Sequence, residues 1–447
     1  MPNIEPIDTH QKALSINLDH QVFGSFAEIG AGQEVARWFL QVGGASGTVA
    51  KTISAYDKEV SDDLYGAGTR YVSQPRLQSM MDSEWSQLLA QLGATRGATT
   101  RFFSFVNTVS ARNFAGDNEC HGWIGLRFQT QPQGPPNDII LHVNLRDRSN
   151  LAQQAAVGIL GVNLIYAVRH YLSNAEEFLA GAAANLPLQR MEFDRVELKG
   201  PAFEQWNPRA IHASLVVNNL AEAVVFPADG SLIPSSELLY KKALVLAPSA
   251  FDVIDPLQGE MIKASLASLP EPILEKSKGS LGFFCLSSAP SVSGQDTLTT
   301  TRILENIDRL EKMGSGVFLF RERELYKMAA FVNRFTKARI HFAAGLPVLV
   351  RAMQDNYNDL EGALLEGIAR LFQENVRLNV FPMPAAAMKE LAADALAWKW
   401  KEVNGFVGAR DIEPPEPLNH LYRYLIGSEF IVPKEFGFAN KATKGPV

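Results

Sequence analysis

TTRILENIDRLEKMGSGVFLFRERELYKMAAFVNRFTKARIHF, residues Thr300–Phe342, decides the fold. Its spacing predicts a helix over Thr300–Met313, a strand over Val317–Phe320, a second helix over Glu322–Phe335 and a second strand over Arg339–Phe342. The rhythm extends outward. Strands are expected at Ala223–Phe226, Lys242–Ala247 and Leu281–Leu286 before it, and helices at Leu346–Met353 and Leu360–Asn375 with a strand at Arg377–Phe381 after it. Strands alternating with helices of this length mean βαβ units and a mainly parallel sheet. The default topology is right-handed and doubly wound. Residues 206–384 therefore read as a Rossmann-like α/β domain.

The chain on either side reads differently. Residues 1–205 are expected to form an α+β domain. Its first twenty residues read as a loose arm, followed by helices over Ala31–Leu40 and Val49–Tyr65. A helix over Pro75–Leu92 carries Leu77, Met80, Met81, Trp85, Leu88 and Leu89 at buried-stripe spacing. Strands Thr100–Val109, Trp123–Gln129 and Asp138–Leu145 follow, then a core helix over Asn150–Tyr171, a helix over Asn174–Ala184 and a strand over Arg190–Leu198. Residues 385–447 read as a helical and extended tail with helices at Ala385–Glu402 and Leu418–Ile426. The fold class is thus α/β, in two domains and a tail.

Composition narrows the function. A chain of 447 residues with 46% hydrophobic and 20% charged residues is globular and too long for one core. The net charge of −6 opposes nonspecific nucleic-acid binding, so no nucleic-acid partner is expected. Two cysteines, Cys120 and Cys285, make no disulfide framework. The opening MPNIEPIDTHQKALSINLDHQ lacks a secretory signal pattern, and polar residues interrupt the apolar run Leu151–Tyr171. The expectation is a cytoplasmic protein with no membrane partner.

Four stretches carry candidate chemistry. In GGASGTVAKT, Gly43–Thr52, a Gly-rich turn entering a helix offers backbone N–H groups to an anion, with Gly44, Ser46, Gly47, Thr48 and Lys51 as phosphate ligands. It is not a Walker A loop, because Ala50 stands where Gly must precede the lysine. The following run holds four carboxylates within seven residues, Asp57 to Asp63. Asp57, Asp62 and Asp63 are the candidate Mg²⁺ ligands, with Glu28 and Glu34 able to join only if the fold brings them near. Set against this is the plainer reading of a solvated acidic face. Third, Cys120 and His121 open a strand and point to opposite faces, so each needs a partner from elsewhere, such as His142 or Glu119. His121 and Asp57 are the catalytic candidates. Fourth, Lys242–Ala247 followed by Pro248-Ser249-Ala250-Phe251-Asp252 is where an α/β nucleotide domain places its first phosphate loop, though the dinucleotide glycines are missing.

Phe23–Thr52 (FGSFAEIGAGQEVARWFLQVGGASGTVAKT) and Asp117–Phe128 (DNECHGWIGLRF) resemble a bacterial family over nearly the whole chain. Its members are named nicotinate- or nicotinamide-nucleotide adenylyltransferases, or TonB-dependent receptors. The first name implies Gly-x-Phe-Asp/Asn-Pro-x-His-x-Gly-His after the first strand of the nucleotide domain. Ser249-Ala250-Phe251-Asp252 matches in part, but Val253–Glu260 contains neither histidine, and the distal Ser-Ser/Thr-x-x-Arg pattern has no counterpart. The second implies a signal and a barrel, and the sequence shows neither. Two functional classes follow. One is an enzyme or former enzyme that binds a nucleotide or phosphorylated metabolite, with loops after Phe320 (Arg321–Glu324) and Phe342 (Ala343–Gly345) contributing. The other is a non-catalytic homo-oligomeric scaffold or regulatory binding protein, suggested by the apolar, proline-bearing tail.

Overall fold

Val22–Gly30 is buried along nearly its whole length on both faces. A strand of that kind must be covered by helices on each side, and it organises the first half of the protein. The computed structural model describes residues 7–68, 70–249, 256–270, 277–289, 299–354, 357–393 and 398–435. The chain divides into two compact units, Met1–Val224 and Val225–Val447.

In the first unit the elements are α1 (Thr9–Asn17), β1 (Val22–Gly30), α2 (Glu34–Gln41), β2 (Val49–Ser54), α3 (Lys58–Tyr65), α4 (Gln74–Arg96) and β3 (Arg101–Ser110). Then come β4 (His121–Gln129), β5 (Pro136–Leu145), α5 (Asn150–His170), α6 (Ala175–Ala182), β6 (Met191–Lys199) and α7 (Pro208–Val217). The six-stranded sheet has the order β2-β1-β3-β4-β5-β6. β1 is parallel to both β2 and β3, whereas β3 to β6 form an antiparallel meander.

Two layers of helix cover this sheet. Leu77, Met80, Met81, Trp85 and Leu88 of α4 pack against Phe102, Val106, Trp123 and Ile140. Phe105 neighbours Val106 on its strand and so faces the opposite side. There α5 brings Gly161 so near that an added Cβ would lie 3.0 Å from the Phe105 ring and 2.4 Å from Val35 of α2. α5 is long and apolar enough to cross a membrane, but two-thirds of that stretch is buried inside the unit, as a core helix should be. Ser149 caps it by accepting from the Ala152 N–H.

The sequence reading needs three corrections here. The expected loose arm contains α1, whose Asp8 and Gln11 form a capping box. β1 itself was not anticipated: Gly24, Ser25 and Glu28 break its apolar pattern, although burial makes the strand central. Val49–Tyr65 is not one helix but β2, a short connection and α3. The β-branched run Val49, Thr52, Ile53 favours the strand.

The second unit holds β7 (Ala223–Phe226), α8 (Ser235–Leu238), β8 (Ala243–Pro248), α9 (Pro256–Ala267), β9 (Ser280–Ser287), α10 (Thr300–Glu311), β10 (Gly316–Phe320) and α11 (Leu325–Asn333). β11 (Ile340–Gly345), α12 (Leu346–Gln354), α13 (Ala363–Leu371) and β12 (Val376–Phe381) follow. The remainder is β13 (Met383–Pro384), α14 (Ala385–Ala393), β14 (Lys399–Trp400), β15 (Phe406–Val407), β16 (Ile412–Glu413), α15 (Leu418–Gly427) and β17 (Ile431–Pro433). The expected helix Ala385–Glu402 is thus shorter, and Lys399–Trp400 is a strand.

Its seven-stranded sheet runs β17-β12-β11-β8-β9-β10-β7. The pairs β10–β9, β9–β8, β8–β11, β11–β12 and β12–β17 are all parallel. From β8 the chain builds outward one way through β9 and β10, then returns to the other side of β8 for β11 and β12. This reversal is the switch point of a doubly wound sheet. The tail supplies the edge strand β17 and belongs to this unit.

Candidate active site

One edge of the first sheet collects the polar side chains. The register pairs Gly30 at the end of β1 with Val109, Ser110 at the end of β3 with His121, His121 with Asn144, and Asn144 with Glu192. The carboxyl ends of β1, β3 and β5 and the starts of β4 and β6 therefore share this edge. Crevices at the carboxyl ends of parallel strands are where open α/β sheets bind ligands.

Three side chains there form a hydrogen-bonded chain. His121 Nδ1 lies 2.9 Å from His142 Nε2, and His142 Nδ1 lies 2.6 Å from Asp194 Oδ1. His142 and Asp194 are buried, while His121 is half-buried at the mouth. The β5–β6 register shifts beside His142, which pairs with Arg195, while Val143 pairs with Phe193. The register skips over Asp194 at this irregularity, and such an irregularity re-aims a side chain. Asn144 Nδ2 donates to Asp194 Oδ2 at 3.1 Å, and Trp123 packs over His142 with ring centroids 4.8 Å apart. Behind them Glu192, fully buried, is ion-paired with Arg146, which also holds Glu222.

In the tautomer with the His142 proton on Nδ1, that N–H donates to Asp194 Oδ1 and His142 Nε2 accepts from His121 Nδ1–H. His121 Nε2 then presents its own lone pair outward. Burial, followed by the facing His142, holds the His121 imidazole below its ordinary range; Arg70 acts the same way, while Glu119 and Asp194 oppose it. The neutral imidazole, which can take up a proton, is thereby favoured at His121. Arg70 is exposed and makes no ion pair among the described residues. Cys120 precedes β4, and its Sγ lies 3.6 Å from the Asn118 carbonyl.

The other expected ligands have different placements. Gly43 and Gly44 take positive φ of 83° and 72° and end α2. A 3-10 turn and β2 come next, so no helix N-terminus faces the turn. Gly43 O and Phe39 O accept from Asn17 Nδ2, Gly44 and Gly47 lie against Asn17, and the buried Thr48 hydroxyl donates to Ile16 O. Ser46 is exposed on this turn. Lys51 points from β2 to α4, where Nζ is 2.8 Å from Glu84 Oε2 and 3.0 Å from Gln87 Oε1. Asp57 is the α3 N-cap, accepting from the Glu59 and Val60 N–H groups. Asp62 is held by Arg76 at 2.7 Å and by the Tyr71 hydroxyl at 3.0 Å, and Asp63 does not join them. Glu34 pairs with Arg37. Among the described residues no three His, Cys, Asp or Glu side chains converge as a metal site, the Asp57, Asp62 and Asp63 set included. Residues 250–252 of the fourth candidate lie outside the described residues. The Arg321–Glu324 loop is tied by ion pairs of Glu322 with Arg321 and Lys327, and Gly345 leads straight into α12.

Sequence reasoning found His121 and named His142 as a partner, but it missed Asp194, Arg70 and Glu84. Glu192 and Asp194 stand two apart in a predicted strand, and two acids on one buried face were the available signal. Glu28 was named only as a possible addition to the metal set, and its register partner Asn107 was passed over. They are 4% and 1% exposed; among the described residues neither side chain makes a hydrogen bond, and Asn107 Oδ1 is buried without one. Burial pushes the Glu28 carboxyl up to about 7.

No protein-family model and no curated protein matches the chain. Among solved structures, a competence/damage inducible protein from Agrobacterium tumefaciens is 17% identical, with a TM-score of 0.27, over 38% of this chain and 99% of its own. A competence damage-inducible protein A from Klebsiella pneumoniae is 13% identical, TM-score 0.28, over 37% and 99%. A competence-damaged superfamily protein from Escherichia coli is 12% identical, TM-score 0.27, over 37% and 94%. Likeness at this level carries no argument about what this chain does.

Two substitutions test these assignments. Lys51→Met leaves the Glu84 carboxylate, 1% exposed, without its cation. The expected loss is of the order of 2 kcal/mol in denaturant unfolding, partly restored by adding Glu84→Gln. An unchanged midpoint would remove the ion pair from the account. For Glu28 the sign follows from a folded pKa of about 7 against an ordinary 4.5. Stability is unaffected below pH 4.5, declines as pH rises from 4.5 to 7, and is lower by roughly 3 kcal/mol above that. Glu28→Gln should therefore raise the melting temperature more at pH 8 than at pH 5; an equal change at both would refute the assignment.

Proposed function

We propose that the first unit is an enzyme in which His121 Nε2 is the general acid–base group, acting on a small anionic metabolite such as a nucleotide or a sugar phosphate. The observation that carries this reading is the Asp194–His142–His121 hydrogen-bond chain, ending at a half-buried imidazole that feels the charge of Arg70, which makes no ion pair among the described residues. In the forward step the substrate proton moves to His121 Nε2. The imidazolium that forms is stabilised through His142 by the buried Asp194 charge, and Arg70 neutralises the substrate anion. His121 returns the proton to the leaving group or product. The acidic run Asp57–Asp63 has no part in this reading.

The second unit supports a nucleotide-handling role at the level of fold. Its strand order β10-β9-β8-β11-β12-β17 is that of a Rossmann-like domain, with a crevice expected where β8 and β11 end. A fold alone does not carry a function, so the chemistry rests on His121. A reducing, cytoplasmic setting agrees with the two free cysteines, Cys120 and Cys285.

Two measurements test the proposal. Proton NMR should show His121 titrating below 6.5, lower still in Asp194→Asn and higher in Arg70→Ala. Because the unfolded imidazole binds the proton more readily, its contribution to stability is lost as pH falls through 6.5. A titration unmoved by either variant would break the link between the three groups. In a thermal-shift screen of nucleotides, nicotinamide cofactors and sugar phosphates, one anionic class should stabilise the protein, by about 2.7 kcal/mol at 100 times its dissociation constant. Arg70→Ala should abolish that shift; no shift from any anion would end the proposal.

A further inference from the structure

The tail of the second unit carries an open pocket of about 610 Å³ between β14, β16 and α15. That volume lies in the range of small-molecule sites, roughly 300–1,000 Å³. The protein carries a net charge of −6, yet four cationic side chains and only two carboxylates line this cavity. Both carboxylates are engaged. Asp411 Oδ2 accepts from the Gly408 N–H at 3.0 Å, and Glu413 is held by Arg423 at 2.7 Å. Lys399 and Arg410 are exposed and make no ion pair among the described residues, although Lys399 stands opposite Glu413 in the β14–β16 register. Cations left free on a concave surface are disposed to meet an anion from solution.

Two further features of the lining are not explained by charge. Trp400 is half-buried at the wall, opposite Ile412 in the β14–β16 register. Asn419 is 5% exposed and its Oδ1 is buried without a hydrogen-bond partner, although its amide group reaches Glu416. The floor is fixed, because the buried Tyr422 hydroxyl donates to the Ala409 carbonyl at 2.5 Å and ties α15 to the turn before β16. An indole face, free cations and an amide with an unused acceptor suit a ligand that has a flat heterocycle, an anionic end and hydroxyl or amino donors.

We propose that this cavity binds a nucleoside monophosphate, with Lys399 and Arg410 on the phosphate and Trp400 against the base. The site lies in the second unit and is independent of the His121 chemistry proposed for the first. Adenosine 5′-monophosphate, adenosine and inorganic phosphate are the probes, added to the full chain and read by tryptophan fluorescence and calorimetry. The monophosphate should bind saturably and quench emission, and Trp400→Phe should remove that quench. Lys399→Gln/Arg410→Gln should weaken binding at least tenfold. Both positions are exposed, and an unchanged melting curve checks that the variant is folded. His121→Ala should bind the probe as the parent does, so failure of the His121 reading leaves this one standing. Adenosine and phosphate should each bind more weakly than the monophosphate. Phosphate binding as tightly as the monophosphate would overturn the role given to Trp400. Absence of saturable binding, or binding indifferent to the Trp400 and Lys399/Arg410 changes, would overturn the site.

Discussion

The first unit depends on one constraint: β1 is buried on both faces, Glu28 included, and has no side exposed to water. A two-sided strand cannot sit at an edge or over solvent. It takes β2 and β3 as neighbours, α4 on one face, and α2 with α5 on the other. Gly161 exists in α5 because Val35 and Phe105 press so close that no larger residue fits. With β1 in that place, the carboxyl ends of β1 and β3 come to lie beside the start of β4. The fold thereby gathers Ser110, His121, Asn144 and Glu192 without any of them being near in sequence.

The relay is an answer to a second constraint, the burial of charge. Asp194 cannot remain ionised inside the sheet unpaired, since an uncompensated carboxylate there costs several kcal/mol. It receives hydrogen bonds from His142 and from Asn144, and the shift in strand register is what turns it toward them. Trp123 packs against His142, and the Asp194 charge reaches His121 through the His142 ring. Glu192, Arg146 and Glu222 solve the same problem one residue pair further along, with a cation instead of a proton relay.

What the sequence disclosed follows from these constraints. The alternating strands and helices of the second unit were legible because each element carries its own period, and all the parallel strands between Ala243 and Phe381 lie where that period placed them. The α4 stripe was legible for the same reason. β1 was not, because a strand buried on both faces has no alternation to show, and Glu28 in its middle reads as a surface residue. Gly43–Thr52 misled in the opposite sense. Its glycines do mark a tight turn, but what they serve is the docking of α1 through Asn17, and β2 follows where a helix N-terminus was expected. Lys51 and Asp62 looked available because sequence spacing cannot show Glu84 or Arg76 folding back on them. His121 was found because a polar cluster at a strand entrance stands out locally; Asp194, about seventy residues away, became its partner only through the sheet.

The first sheet is half meander and half crossover, and this has a kinetic consequence. The β3–β4 and β4–β5 pairs join segments close in sequence, while Val22 meets Arg101 across almost eighty residues. Loop closure over that span must be complete before its contacts give any return, so long-range parallel pairing is the slow part of assembly. The hairpins of β3, β4 and β5 are thus expected to acquire amide protection first during refolding, with β1 inserted later between β2 and β3; simultaneous protection of all these strands would contradict that order. His121 and His142, on β4 and β5, would then be joined early, with Asp194 on β6 added after them and the crevice finished last.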